Sequence, residues 1–133
     1  MPELKKYKMF INGEWVNSDT EKTFETLNPE NNKPWAVVPE ASTSDVDRAV
    51  KAAQNAFEGE WPKLLPKERA RYLRMIGDKL RENAEHLGKI ETIDTGKLYR
   101  ETYKQANYIA EYYDYYAGLA DKVEGTVLPI DKP

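Results

Sequence analysis

Residues 98–125, LYRETYKQANYIAEYYDYYAGLADKVEG, decide the fold of this chain. They read as one long helix followed by the start of a strand, and they hold seven of the nine tyrosines. Tyr99, Tyr103, Ala106, Ala110, Tyr113 and Ala117 recur at steps of four and three, which makes one continuous helical stripe. Tyr108, Ile109, Tyr112, Tyr115, Tyr116 and Leu119 fill the flanking sides. The helix is therefore apolar over more than half its circumference and expects neighbours on two sides. A chain of 133 residues supplies few of them, so it reads as the front part of something larger.

Composition sets the outer bounds. Hydrophobic residues make up 40% and charged residues 32% of the chain, with a net charge of −3, as in a soluble globular domain. No Lys/Arg cluster stands free of acids, which argues against nucleic acid or an anionic membrane as partner. The opening Met1-Pro2-Glu3-Leu4-Lys5-Lys6 has no apolar run behind it, so neither a signal peptide nor a membrane span is expected and a cytoplasmic protein is the default. Cysteine is absent, which excludes a thiolate nucleophile, a disulfide or a thiolate metal site within these residues.

Upstream of the long helix the pattern changes period once. Met9-Phe10-Ile11 and Glu14-Trp15-Val16 flank Asn12-Gly13, a type I′ hairpin signal. Phe24 to Leu27 alternates and ends at Asn28-Pro29, and Trp35 to Val38 is a short strand stopped by Pro39. Ser42 followed by Asp45 marks a helix start, and Val46, Ala49, Val50, Ala53, Ala56 and Phe57 give helix 43–58 an apolar stripe. Pro66 opens the next helix, in which Gly77 on the apolar face implies close approach of a neighbour. Asn83 breaks that run, so that Ala84 to Thr95 forms a separate helix with Leu87, Ile90 and Ile93 inward and Gly96 as its C′ residue. Gly118 and Gly125 mark the loosening and end of the tyrosine helix, and Val127-Leu128-Pro129-Ile130 begins a strand.

Little in these residues carries chemistry. No G-x-G-x-x-G or P-loop occurs. His86, the one histidine, sits among charged residues as a surface side chain with no positioned partner. The three tryptophans and the tyrosine stripe read as packing before they read as ligand stacking. The acids near one another, Glu91 with Asp94 and Glu101 with Asp114, read as solvated helix faces. Asp94 stands apart because a negative charge in a last helical turn opposes the dipole by about 0.3–1 kcal/mol. It calls for a compensating partner: a salt bridge to Lys97 or Lys89, or a cation shared with main-chain carbonyls.

Taken together, Phe10-Ile11-Asn12-Gly13-Glu14-Trp15, Leu27-Asn28-Pro29, Val38-Pro39-Glu40-Ala41, Asp45-Val46-Asp47-Arg48-Ala49-Val50, Glu91-Thr92-Ile93-Asp94-Thr95-Gly96-Lys97 and Tyr115-Tyr116-Ala117-Gly118 form a pattern. In order and spacing it resembles the N-terminal portion of the NAD(P)-dependent aldehyde dehydrogenase superfamily. Leu98 stands where that family usually has proline, as in a subgroup of its bacterial members. The resemblance implies an α/β enzyme with a Rossmann-type cofactor domain, a catalytic domain and an oligomerisation arm. This chain by itself would be α+β, mainly helical with an N-terminal hairpin. Residues 1–122 would be the helical beginning of the cofactor domain and 123–133 the start of the arm.

The family's catalytic cysteine and glutamate, and its residues for NAD or NADP, fall outside this portion, so no catalytic or cofactor-binding residue is carried over. The chain alone is expected to bind no cofactor. Two sites do carry over by position: a sodium or potassium site at Thr26, Leu27 and Asp94, and a substrate-access surface at Lys104, Tyr108 and Tyr112. The implied substrate is an aldehyde, and the implied partners are the rest of the enzyme or a second copy. The alternative is a helical module for self-association or docking, without catalysis.

Overall fold

The computed structural model describes residues 4–127. Five short strands, β1 (Lys5–Lys6), β2 (Met9–Ile11), β3 (Glu14–Val16), β4 (Thr23–Asn28) and β5 (Lys33–Pro39), come first. Four α-helices follow: α1 (Thr43–Glu58), α2 (Pro66–Glu82), α3 (Ala84–Thr95) and α4 (Tyr99–Leu119).

The hairpin forms where the turn chemistry places it. Asn12 and Gly13 take φ of 53° and 84°, and Phe10 faces Trp15 across β2 and β3. A three-stranded sheet in the order β1-β5-β4 lies beside it. Both prolines of β5 are accommodated because β1 pairs only with Ala36 and Val37, between them, so the missing N–H groups of Pro34 and Pro39 interrupt no bond to β1. The register of β4 and β5 shifts between Thr26 and Leu27, which leaves Trp35 as the extra residue of a bulge. Strand β1 is invisible to pattern reading because it consists of two lysines.

Helix α1 is capped as expected, by a reciprocal box between Ser42 and Asp45. Its apolar stripe, however, is not covered: Val46, Val50 and Phe57 are 52%, 62% and 66% exposed. What α1 buries is Asp45, held between its own cap and the turn before β4. Asn83 separates α2 from α3, and Gly96 closes α3 with φ of 74° and its N–H donated to Thr92 O.

Helix α4 lies against both α2 and α3. Its buried line is Thr102, Ala106, Ala110 and Ala117. On α2, Ala70 and Gly77 are buried, and an added Cβ at Gly77 would stand 3.2 Å from Ala110 O of α4. On α3, Ala84 and Gly88 are buried, and a Cβ at Gly88 would stand 3.0 Å from both Cα and N of Tyr103. The helices therefore touch backbone to backbone over small residues. This corrects the expectation for α3: Leu87 and Ile93 are exposed, because the seam runs through Ala84, Gly88 and Thr92 rather than through the large side chains. The flanking tyrosines of α4 are exposed as well. The helix continues through Gly118 to Leu119. Residues 123–127 form no strand, and the expected strand from Val127 to Ile130 lies, beyond Val127, outside the described residues.

Candidate functional site

The two halves of the expected cation site meet. Thr26, on β4, donates its hydroxyl to Asp94 Oδ1 at 2.9 Å, across 68 residues of sequence. Helix α3 delivers Asp94 there because its end docks on the turn after β4, where Gly96 leaves 3.1 Å between a would-be Cβ and Pro29 Cγ. The salt-bridge reading of Asp94 is overturned. Lys97 reaches Glu91 at 2.7 Å and Lys89 reaches Glu85 at 2.5 Å, so both lysines are engaged by other carboxylates. Asp94 has no cationic partner among the described residues. Leu27 follows Thr26 at the register shift and is 46% exposed.

A cleft of about 380 Å³ opens between the sheet and α3, walled by Tyr7, Phe24, Thr26, Trp35, Val38, Ile90 and Asp94. The Tyr7 and Trp35 rings meet edge to face at 6.1 Å. Tyr7 Oη and Trp35 Nε1 are buried and find no partner among the described residues. No three His, Cys, Asp or Glu side chains converge on a metal-binding group among the described residues. The groups that meet at Asp94, one carboxylate and one hydroxyl, are oxygen donors of the kind hard cations take, without the nitrogen or sulfur ligands that many transition-metal sites use.

The expected access residues occupy one exposed side of α4. Tyr108 and Tyr112 pack edge to face at 5.0 Å, and their hydroxyls lie 3.1 Å apart. That bond raises the Tyr112 phenol above its ordinary pKa. With Glu111, Tyr115 and Tyr116 they wall an open groove of about 420 Å³. Lys104 does not line it. Glu111 and the edge-to-face pair Tyr115 and Tyr116, 5.3 Å apart, are the groove residues that transfer by position missed. Their clustering follows from i, i+3 and i+4 spacing on the one helix.

The remaining polar groups hold the fold. Asp114 pairs with Arg81 across α2 and α4, and Glu91 with Lys97. His86 is exposed on α3. Asp45 is fully buried, accepting from the Ser18 hydroxyl at 2.7 Å and the Ser42 N–H at 2.9 Å, with Arg48 alongside. Those donors hold its carboxyl well below the usual carboxylate range, the Ser18 hydroxyl most of all.

Residues 15–133 match the model of the aldehyde dehydrogenase family. The chain belongs to that family. It is 44% identical over 131 residues to the (Z)-2-((N-methylformamido)methylene)-5-hydroxybutyrolactone dehydrogenase of Acinetobacter baylyi, covering 98% of this chain and 26% of that protein. An aldehyde dehydrogenase of Aspergillus niger is 42% identical over 90% of this chain and 24% of its own length. The fold class expected from the sequence holds. The chain superimposes with a TM-score of 0.90 and 42% identity on the NAD+ complex of the Bacillus cereus aldehyde dehydrogenase, covering 96% of this chain and 26% of that one. A betaine aldehyde dehydrogenase of Staphylococcus aureus matches with a TM-score of 0.87 and 38% identity, covering 95% of this chain and 26% of that one. This chain thus corresponds to the N-terminal portion of aldehyde dehydrogenases and spans about a quarter of their length. No helix among the described residues is long and apolar enough to cross a membrane.

Proposed function

We propose that this chain is the N-terminal part of a cytoplasmic, oligomeric NAD(P)-dependent enzyme that oxidises aldehydes to carboxylic acids, and that it supplies scaffold, cation site and substrate passage rather than chemistry. The observation that carries the reading is the family match over residues 15–133 at about a quarter of the relatives' length. In such an enzyme a cysteine thiolate attacks the aldehyde, hydride passes to the nicotinamide, and water hydrolyses the thioester. A chain without cysteine cannot take the first step. Of the two nicotinamide cofactors, NAD is favoured by the NAD+ complexes of similar structures. The purified 133-residue chain is expected to form no NADH from NAD+ and a panel of aldehydes, followed at 340 nm. Aldehyde-dependent NADH formation by this chain would refute the division of labour.

Asp94, with main-chain oxygens of Thr26 and Leu27, would hold Na⁺ or K⁺. The lack of a lysine partner for Asp94 supports this, because an unpaired carboxylate at a helix end gains most from a cation. Titration with KCl, against a choline chloride control of equal ionic strength, should raise the thermal midpoint of the chain. Asp94→Asn should abolish the difference between the two salts. Equal responses in both proteins would remove the cation from the reading.

Tyr108 and Tyr112 would face the substrate passage, with the Tyr115 and Tyr116 rings extending its wall and Lys104, one turn before Tyr108, beside it. Residues 123–133 would begin the oligomerisation arm. Val123 and Val127 are 90% and 91% exposed, apolar side chains that a partner strand would cover. Trypsin should accordingly cut first after Lys122, while α4 stays whole. Early cutting inside α4 would move the boundary. The docking-module alternative rests on the exposed tyrosine groove. It gains if a natural stop codon follows Pro133 and fails if the reading frame runs on into a cysteine-containing domain.

A further inference from the structure

Among the described residues, Thr102 and Asp45 are the largest side chains fully withdrawn from solvent. It sits on α4 at the seam with α3. Its hydroxyl lies 2.9 Å from Gly88 O, 2.9 Å from Thr92 Oγ1 and 3.0 Å from Tyr99 O. A hydroxyl has one proton and two lone pairs, so it can give the proton to a carbonyl and accept from Thr92. Packing alone does not require that oxygen, since valine has the same outline. What it does define is rotation. Only one setting of α4 about its axis brings Thr102 Oγ1 between Gly88 O and Thr92 Oγ1. Gly88 fixes the second coordinate, the distance: with a Cβ there 3.0 Å from the Tyr103 backbone, only glycine lets α4 come this near.

We infer that Thr102 is a positioning residue for the aldehyde passage, setting the rotation of α4 and with it the stance of the Tyr108 and Tyr112 rings. The inference rests on the proposed reading of that groove as the passage. The mechanical link is short. Tyr108 and Tyr112 stand six and ten residues beyond Thr102 in one unbroken helix, about 9 and 15 Å along its axis. Ala110 against Gly77 and Asp114 beside Arg81 hold the far half of α4 to α2, and Thr102 is the polar contact that holds its near half to α3, so a shift at Thr102 tilts the helix under both rings.

The test uses the full-length dehydrogenase that contains this chain and compares Thr102→Val, Thr102→Ser and Tyr112→Ala. Thr102→Val is expected to raise KM for the aldehyde about fivefold with kcat within about twofold, the split that marks lost substrate positioning rather than lost chemistry. The thermal midpoint should stay close to that of the parent, and Thr102→Ser, which keeps the hydroxyl, should restore KM. If Thr102→Val leaves KM unchanged while Tyr112→Ala raises it, the positioning role is refuted and the passage reading stands. If Thr102→Val lowers stability and Thr102→Ser does not rescue KM, the residue is structural and the inference is refuted. If Tyr112→Ala changes nothing either, the passage reading fails and the inference fails with it.

Discussion

Gly88→Val should destabilise the folded chain by about 3 kcal/mol or more, a large share of the roughly 5–15 kcal/mol that holds a typical domain together. The first added carbon would stand 3.0 Å from Cα and N of Tyr103, and 3.3 Å from the Tyr99 ring. Backbone atoms cannot rotate away, so α3 and α4 must part. Parting them also strips the Thr102 hydroxyl of its cross-helix partners in the most buried part of the seam. Gly88→Ala adds only the first carbon. Its gain in helix propensity, about 1 kcal/mol, offsets part of the clash, so it should cost less than valine but still lower stability. Gly118→Ala is the control of opposite sign. Gly118 is also helical, but nothing stands within 4 Å of its added Cβ, so the propensity gain of about 0.5–1 kcal/mol should appear undiminished. Urea unfolding of the three variants checks the order. A Gly88→Val chain as stable as the parent would mean that α3 and α4 do not meet at this seam.

That seam also marks where pattern reading stops. The long helix, the alanines of its stripe (Ala106, Ala110 and Ala117) and the close approach at Gly77 were legible, because a period of 3.6 with alanine and glycine on it specifies a tight helix contact, whereas Tyr99 and Tyr103 of the same stripe are 39% and 42% exposed. Gly88 and Thr102 were not. One sits in a helix whose large residues, Leu87, Ile90 and Ile93, draw the eye to a different face, and the other is a polar residue whose burial depends on a partner ten positions away. The apolar stripe of α1 was legible as a pattern, yet Val46, Val50 and Phe57 remain exposed here. Pattern records what a surface is built to meet, and in a chain spanning a quarter of its relatives' length that need not lie within the chain. At the candidate cation site, Asp94 was singled out by a local conflict with its helix dipole. Its Thr26 partner lay beyond local reasoning, since only the docking of α3 on the turn after β4 brings the two together.

Acid should loosen the start of α1 before it loosens the helix seam, and Asp45→Asn should remove most of that sensitivity. Asp45 in the folded chain titrates well below its ordinary range, principally through the Ser18 hydroxyl and then the Ser42 N–H. In the unfolded chain its pKa returns to about 3.9. A group whose folded pKa is the lower one stabilises the fold fully above the unfolded value. That contribution fades as pH falls through about 4 toward the folded value, because the unfolded chain then binds the proton first. The charged form is also the one the site is built to receive. The hydroxyls of Ser18 and Ser42, the Ser42 N–H and the Arg48 guanidinium all converge on it as donors. An asparagine amide offers one acceptor oxygen and turns its NH₂ toward either the Ser42 N–H or the Arg48 guanidinium, neither of which can accept it, so Asp45→Asn should be the less stable protein at pH 7. Its thermal midpoint should change less than the parent's between about pH 5 and 2, the window over which a depressed carboxylate gives up its contribution. Some slope should survive in both, since Asp19, lowered by its bond from Ser44, and Glu85, lowered by Lys89, remain. Amide exchange locates the effect. The first turn of α1 and the Ser18 to Glu21 turn should lose protection together in the variant, because the one carboxylate holds both. Parallel pH profiles for the two proteins would mean that the Asp45 carboxylate is not clamped as its donors require.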